Sequence, residues 1–110
     1  MSETTYNTEE LIAGDIKTQV VKFAADTYYR GMPVKYDSGN DRYDYDATAA
    51  TLAGIFLEGE REIAANGWGT IITGGEIYQG GIVDDSNDAL TIDEDFIAAV
   101  APRGFYIRRK

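Results

Sequence analysis

The sequence has 110 residues, of which 44% are apolar, and its formal net charge is −9; these values fit one globular domain with a single core. The negative charge repels phosphate backbones, so no direct nucleic-acid partner is expected. Histidine and cysteine are absent, which excludes thiol nucleophiles and a Ser–His–Asp triad and leaves few ligands for transition metals.

Other features of the composition favour a turn-rich β fold. The chain has twelve glycines against two prolines, and without cysteine it has no disulfide framework. No stretch approaches the roughly 20 apolar residues that cross a membrane, and the polar, acidic N-terminus is not typical of a signal peptide. We therefore expect no membrane partner.

Residues 1–13 are predicted to form a flexible N-terminal arm, and residues 14–110 a single β-rich domain. The first ten residues are mainly Thr, Glu, Ser and Asn with one aromatic side chain, Tyr6, so they carry too little apolar surface to fold alone. Such an arm is either a tail without function or a segment that becomes ordered by adding a strand to a partner's sheet edge. The residues alone leave both alternatives open.

Strand patterns begin at residue 16. Residues 16–23 mix β-branched and polar side chains and are predicted to form a strand. Two short alternating runs, residues 34–36 and 42–45, flank an Asp/Ser/Gly/Asn cluster at residues 37–41, which is a hairpin pattern. The nearly continuous apolar run at residues 52–57 predicts a central, well-buried strand.

The stretch at residues 68–83 is the most β-like part of the chain. Two short apolar runs, residues 70–73 and 77–78, flank the pair Gly74-Gly75, and a second pair, Gly80-Gly81, follows. Glycine pairs supply the backbone freedom that tight turns and bulges need. This stretch is therefore predicted to be scaffold in the middle of a β domain rather than a reaction centre.

One convincing helix pattern follows. Thr91 and Glu94 have the spacing of a capping box, with the threonine as N-cap, and acidic side chains in the first turn complement the helix dipole. Pro102 requires the helix to stop by about residue 101. Residues 103–108 then predict a last strand.

Two groups of carboxylates were considered as ligand sites. Asp37, Asp41, Asp44 and Asp46 lack the spacing of a calcium-binding EF-hand loop, so roles in a hairpin and on the surface are favoured. Paired acids, such as Glu58 and Glu60 or Asp84 and Asp85, are the residue type that glycoside hydrolysis uses. A domain this small without an evident cleft argues against that chemistry.

The charges are unevenly placed along the chain. Six acids fall within residues 84–95, and four basic residues lie in the last eight positions: Arg103, Arg108, Arg109 and Lys110. This pattern is typical of a solvated acidic loop and a solubilising tail. The alternative is that the acidic and basic parts meet across an interface between copies of the chain.

Aromatic content points to binding or assembly rather than to catalysis. The chain has eight tyrosines and one tryptophan, Trp68. Scattered tyrosines usually occupy strand faces and half-buried positions, but tyrosine and tryptophan also supply much of the anchoring energy of protein interfaces. A chain without catalytic equipment and rich in tyrosine is therefore expected not to be an enzyme and to need no cofactor or metal.

The order of several motifs resembles the head decoration, or capsid cement, proteins of lambda-like tailed bacteriophages. After a polar arm come Tyr-Arg-Gly-Met-Pro-Val-Lys-Tyr-Asp at residues 29–37, Ala-Gly-Ile-Phe-Leu at 53–57, and Gly-Glu-Ile at 75–77. An acidic linker, a short helix and Ala-Pro-Arg-Gly-Phe-Tyr-Ile-Arg at residues 101–108 complete the series. The helix followed by Arg-Gly-aromatic-X-Ile-Arg is the most specific motif. The resemblance covers roughly residues 14–109, and it departs from the family pattern at Trp68 and at residues 79–82.

The resemblance implies a mostly β, β-tulip-like fold with β-hairpins, one short C-terminal helix and a flexible N-terminal arm. It implies a late structural protein of the virion, made in the host cytoplasm, that binds the outer surface of the expanded head as a homotrimer. Its partner is the major capsid protein, and it stabilises the capsid against DNA packaging pressure. The capsid-binding arm implied here is Thr4, Thr5, Tyr6, Asn7, Thr8, Leu11 and Ile12. The candidate residues for the trimer interface are Trp68, Tyr78, Phe105 and Arg108.

Two other functions remain open at this point. One is a ring-forming phage tail or head–tail structural protein. The other, of a different class, is a small ligand-binding module that uses a carboxylate cluster.

Overall fold

The computed structural model describes residues 11–109, and this range contains eight strands and one α-helix. The strands are β1 (Ile12–Phe23), β2 (Asp26–Tyr28), β3 (Pro33–Asp37), β4 (Arg42–Tyr45), β5 (Gly54–Phe56), β6 (Arg61–Ile63), β7 (Gly67–Tyr78) and β8 (Phe105–Arg108). The helix, α1 (Glu94–Val100), lies between β7 and β8. The described residues therefore form a small β-rich domain with one short C-terminal helix, which confirms the predicted fold class.

Strand pairing closes the main sheet on itself. β1 pairs antiparallel with β7 along most of its length, β7 pairs with β5, β5 with β3, and β3 with β4. β4 returns to β1 through one parallel pair, Phe23 with Tyr43. β8 extends the sheet in parallel register along β7, while β2 and β6 form a separate two-stranded sheet. β7 is thus the strand that most of the domain is built around.

The long strand β7 corrects one expectation about its glycines. The two apolar runs predicted on either side of Gly74-Gly75 are one continuous twelve-residue strand, and the register of its pairing with β1 shifts near this point. Gly75 has a φ of 127°, and a Cβ at this position would collide with the carbonyl oxygen of Asp15. The glycine freedom therefore serves a bulge, which lets the strand continue past the irregularity.

Two hydrophobic clusters fill the domain on opposite faces of β5 and β7. The first comprises Leu11, Leu52, Ile55, Ile72, Ile77, Ile82, Ile92, Val100 and Phe105. The second comprises Val21, Phe23, Tyr28, Met32, Val34, Phe56, Ile63 and Ile71. Neighbouring residues such as Ile71 and Ile72 divide between the clusters because side chains alternate along a strand. Each fully buried side chain of this kind contributes about 1.5–3 kcal/mol.

An aromatic group forms the centre of the second cluster. The ring centroid of Phe23 lies 4.7 Å from that of Tyr28 and 5.5 Å from that of Phe56. The Tyr28 hydroxyl donates a hydrogen bond of 2.7 Å to the carbonyl oxygen of Ala24. Burial and the nearby charge of Asp44 raise the pKa of Tyr28 well above its ordinary value, so this side chain stays neutral and acts in packing.

The helix begins later than its sequence pattern predicts. The N-cap is Asp93, whose carboxylate accepts a hydrogen bond of 2.9 Å from the backbone N–H of Phe96; the prediction of Thr91 as N-cap is wrong by two residues. Ile92 is the reason, since its side chain is only 6% exposed within the first cluster. Anchoring that side chain in the core leaves no helical turn before Asp93.

Most other predicted elements are confirmed. β3 and β4 form the expected antiparallel hairpin, and the three residues of β5 are all buried, as predicted for a central strand. β8 follows the helix where a last strand was expected. β1 starts at Ile12, four residues earlier than predicted. Within residues 11–109 no helix is long and apolar enough to cross a membrane.

Candidate interaction surface

The four aspartates of the β3–β4 region each have a local hydrogen-bonding role. Asp37 accepts from the side-chain amide of Asn40 at 2.8 Å, and that bond lowers the pKa of the aspartate. Asp44 accepts from the N–H of Tyr45, and Asp46 from the N–H of Thr48, both at 2.8 Å. In the part of the chain described, no group of three or more carboxylates is placed to hold a metal ion. Hairpin and turn roles therefore explain these side chains.

Glu58 fastens the segment after β5 to strand β7. Its carboxylate accepts 2.7 Å hydrogen bonds from Arg61 Nη1 and from the backbone N–H of Thr70. Desolvation raises the pKa of Glu58, but these two donors outweigh it and hold the pKa below its ordinary value. Asp84 is likewise engaged, because its carboxylate accepts from the N–H groups of Ser86 and Asp88 at 2.9 Å. Both acids act in local structure.

The predicted capsid-binding arm divides at the first described residue. Thr4, Thr5, Tyr6, Asn7 and Thr8 lie outside the described residues. The other two members, Leu11 and Ile12, lie in the folded domain, and for Leu11 the prediction is wrong. Leu11 is fully buried, and its carbonyl oxygen accepts a 2.9 Å hydrogen bond from the N–H of Tyr78. Ile12 is the first residue of β1 and pairs with Ile77, so the folded domain already includes residues 11–13.

The predicted trimer-interface residues do not form one surface. Phe105 is 1% exposed within the first cluster, so its side chain is core and that prediction is wrong. Arg108 is exposed and forms a 3.2 Å ion pair with Glu76; its backbone pairs with that of Tyr78 at one end of β7. Trp68 lies ten residues before Tyr78, toward the other end of β7, and a strand of that length spans roughly 33 Å.

Trp68 marks the most apolar exposed surface of the described chain. Its side chain is 58% exposed, and that of Val20 is 59% exposed. Lys22 pairs with Trp68, and Val20 pairs with Thr70, so all four side chains lie on one face of the β1–β7 ribbon, opposite the buried Val21. Diagonal neighbours on paired strands are about 7–8 Å apart, within reach of an aromatic side chain. We call these four residues the Trp68 surface.

Charged and aromatic side chains border the Trp68 surface. Lys22 Nζ lies 3.5 Å from a carboxylate oxygen of Asp41, and the Tyr36 hydroxyl donates a 2.6 Å hydrogen bond to the same carboxylate. This hydroxyl and then the Lys22 ammonium lower the pKa of Asp41. Tyr36 is itself 46% exposed. An apolar centre with a polar rim is the usual composition of a protein interface.

One edge of β1 is also available for pairing. Among residues 11–109, β1 pairs with β7 on one edge, and on the other edge only Phe23 is paired, with Tyr43. The backbone groups between Ala13 and Lys22 on that edge therefore have no neighbouring strand within the described chain. An exposed strand edge is a template for pairing with another chain. It adjoins the Trp68 surface, because Val20 and Lys22 belong to the same strand.

Sequence reasoning found Trp68 but missed Val20. Residues 20 and 21 are both valine, and a strand sends one inward and the other outward. The pattern of residues 16–23 indicates that one of the two is exposed, but only the pairing with β7 decides which. No family model matches the chain, and a search of curated proteins finds no match either. The described residues thus offer a candidate interaction surface, while Asp37, Asp46, Glu58 and Asp84 are engaged in local structure.

Proposed function

We propose that this protein is a structural capsid decoration protein, which binds the outer surface of an expanded phage head as a homotrimer and stabilises it against DNA packaging pressure. The observation that carries the proposal is the Trp68 surface, which lies beside the edge of β1 that has no partner strand within residues 11–109. Contiguous exposed apolar side chains mark sites of protein association. The order of motifs that resembles capsid cement proteins supplies the class of assembly.

In this proposal the Trp68 surface is a contact between subunits. Trp68 is the anchor, since tryptophan is enriched among the residues whose truncation costs most binding energy. Val20 and Thr70 surround it, and Lys22 lies at the polar rim. Burying this surface removes from water the largest exposed hydrophobic side chains of the β1–β7 ribbon, which is a favourable contribution of about 25 cal/mol per Å² of apolar area.

The contact with the major capsid protein is proposed to lie in the segment before the folded domain. Thr4, Thr5, Tyr6, Asn7 and Thr8 are its members, and Leu11 is left out because it belongs to the core. A short segment that adds a strand to a partner binds weakly by itself. A trimer joins three such segments, and the resulting effective concentration gives firm binding.

Co-sedimentation with empty, expanded capsids tests this function. The full chain is expected to sediment with the capsids, and a chain that lacks residues 1–10 is expected to remain folded and trimeric but to stay in the supernatant. Undiminished binding by the truncated chain would refute the assignment of the arm. Absence of binding by the full chain to expanded capsids would refute the proposed function.

A further inference from the structure

Lys17 and Arg103 form no ion pair with an acid among the described residues. Within residues 11–109, ion pairs with acids engage the side chains of Lys22, Lys35, Arg61, Arg108 and Arg109. Lys17 and Arg103 are both exposed and take part in none of these pairs. The chain has a net charge of −9. Because acids are in excess, a cation without an ion pair is not expected from the composition. These two line the same groove.

The groove lies across β7 at its bulge and has a volume of about 470 Å³. β1 contributes Lys17 on one side, and the start of β8 contributes Tyr106, which is 57% exposed, on the other. The residues between them are glycines without side chains: Gly74, Gly75 and Gly104. Their backbones are in direct contact, since the N–H of Gly75 donates a 2.8 Å hydrogen bond to the carbonyl oxygen of Gly104. The glycines keep the space between the two walls open.

Arg103 is held in place at this groove. Its Nε donates a 2.9 Å hydrogen bond to the carbonyl oxygen of Leu52, which leaves its terminal nitrogens for a further acceptor. Among the lining side chains Asp15 is the one acid, so Lys17 and Arg103 give the groove a net positive charge. A guanidinium and an ammonium that line one groove are suited to a carboxylate.

Unpaired carboxylates occur elsewhere on the same chain. Of the six acids in residues 84–95, Glu94 is the one with an ion pair, to Arg109. The carboxylates of Asp84 and Asp93 accept backbone N–H groups of their own turns. Asp85, Asp88 and Asp95 are exposed and form no ion pair in the described part of the chain. They are the acids best placed to meet a cation from outside.

Within one subunit, the acidic start of α1 and Arg103 of the groove lie at opposite ends of the helix. Glu94 Oε2 lies 3.0 Å from Arg109 Nη2, so the acidic start of α1 lies beside the end of β8. Arg103 follows the other end of α1 and precedes β8. At 1.5 Å per residue the seven-residue helix is about 10 Å long, so the helix separates the two sets of charges. Their opposite signs are therefore available for contact between two copies.

We propose that the groove at Lys17 and Arg103 of one subunit receives the acidic segment, residues 84–95, of the next subunit. This inference rests on the proposed homotrimer. A closed ring of three needs a heterologous interface, in which two different patches of each subunit are complementary. The positive groove and the acidic segment are such a pair, and in a trimer each subunit uses both once. Complementary charges also fix the orientation in which subunits associate.

Charge reversal in the full chain tests the contact, with sedimentation velocity over a range of protein concentrations as the readout. Lys17→Glu is expected to raise the concentration at which half of the trimer dissociates by about tenfold or more, since it places like charges opposite each other. Arg61→Glu is the matched control, because it makes the same change in net charge at an exposed strand position outside the groove. The control is expected to shift this concentration by less than about threefold.

A charge swap tests the partner. Lys17→Glu combined with Asp85→Lys, Asp88→Lys or Asp95→Lys is expected to restore the trimer with one of the three acids, because every interface of a closed ring then contains the swapped pair. Lys17→Glu is at an exposed position, and an unchanged melting curve at fixed oligomeric state confirms that it folds. Rescue by none of the three swaps, or a Lys17→Glu trimer as stable as the wild type, would overturn the inference.

These outcomes separate the inference from the proposed function. If the wild type is trimeric and binds expanded capsids while Lys17→Glu leaves its dissociation unchanged, the groove contact fails and the proposed function stands. If the wild type is not trimeric, the proposed function fails first. The wild-type trimer is further expected to dissociate more readily as salt rises from 0.05 to 0.5 M, since screening weakens exposed charge pairs.

Discussion

Leu11 tests the boundary between the arm and the folded domain. Its side chain is fully buried in the first cluster, and a Cβ at Gly81 would approach the Leu11 Cα to 2.6 Å, so chain and core are closely packed there. Leu11→Ala removes buried methyl groups and leaves a cavity that the surrounding backbone cannot fill. Substitutions of this kind cost about 2–5 kcal/mol.

The expected effect on thermal stability follows from that free energy. For a domain near 100 residues, each kcal/mol shifts the melting temperature by about 4 °C or more. A loss of about 3 kcal/mol therefore predicts a melting temperature at least about 12 °C below that of the wild type. The matched comparison is the chain without residues 1–10, which loses far more atoms but none of the core described here. Its melting temperature is expected within about 2 °C of the wild type, as for changes outside the packed domain.

Circular dichroism during heating, with urea unfolding as a second measure, gives both values. A Leu11→Ala variant that melts within about 2 °C of the wild type would refute the placement of this residue in the core. A truncated chain that loses as much stability as Leu11→Ala would instead show that the domain begins before residue 11. Either result would also move the proposed capsid-binding segment.

Four further substitutions test three local features of the fold. Gly75→Ala is expected to cost about 1–3 kcal/mol in urea unfolding, because φ is 127° and the Asp15 carbonyl blocks a Cβ; an unaltered midpoint would contradict the bulge. Asp93→Ala is expected to lower the free energy of unfolding by about 1 kcal/mol by loss of the N-cap, and Thr91→Ala by less than about 0.5 kcal/mol. A larger loss for Thr91→Ala than for Asp93→Ala would instead support Thr91 as the N-cap. Glu58 has a lowered pKa in the folded state, so its contribution is present above its ordinary pKa and is lost as the pH falls through the folded value. The stability difference between wild type and Glu58→Gln should therefore shrink below about pH 4, and a constant difference from pH 7 to pH 3 would rule out this role.

Local sequence patterns predicted much of the fold. The β3–β4 hairpin, β5 and β8 are each encoded within a few residues: turn formers between alternating runs, a continuous apolar run, and a strand placed after a proline stop. For such elements the residues that decide the structure are neighbours in the chain. The position of β5 in the middle of the sheet followed in the same way from its lack of polar side chains.

The errors occur where distant residues decide the outcome. In the sequence, Leu11 follows a polar segment and resembles its end. In the structure, Leu11 accepts a backbone hydrogen bond from Tyr78 and packs closely against Gly81. Thr91 has the right spacing for a cap, but burial of Ile92 moves the start of the helix to Asp93. Alternation of apolar and polar residues indicates that a strand has two different faces. It does not show which face the rest of the domain covers.

The candidate surfaces were the least predictable part. Phe105 and Trp68 are both large aromatic residues in strand patterns, yet one is 1% and the other 58% exposed. Packing of the helix against β8 covers the first, and no described element covers the second. The groove between Lys17 and Arg103 depends on β1 and β8 lying on either side of β7, a topology that no local pattern contains.

The mass of the protein in solution tests the central claim, association through the Trp68 surface, most directly. Sedimentation equilibrium of the wild type is expected to give three times the chain mass of 12.1 kDa. Trp68→Ala should weaken the trimer by about 2 kcal/mol or more per interface, which is the usual cost at an anchor residue, and should leave the melting curve of the monomer unchanged. A wild-type monomer, a ring of six or more subunits, or a Trp68→Ala trimer as stable as the wild type would contradict the claim.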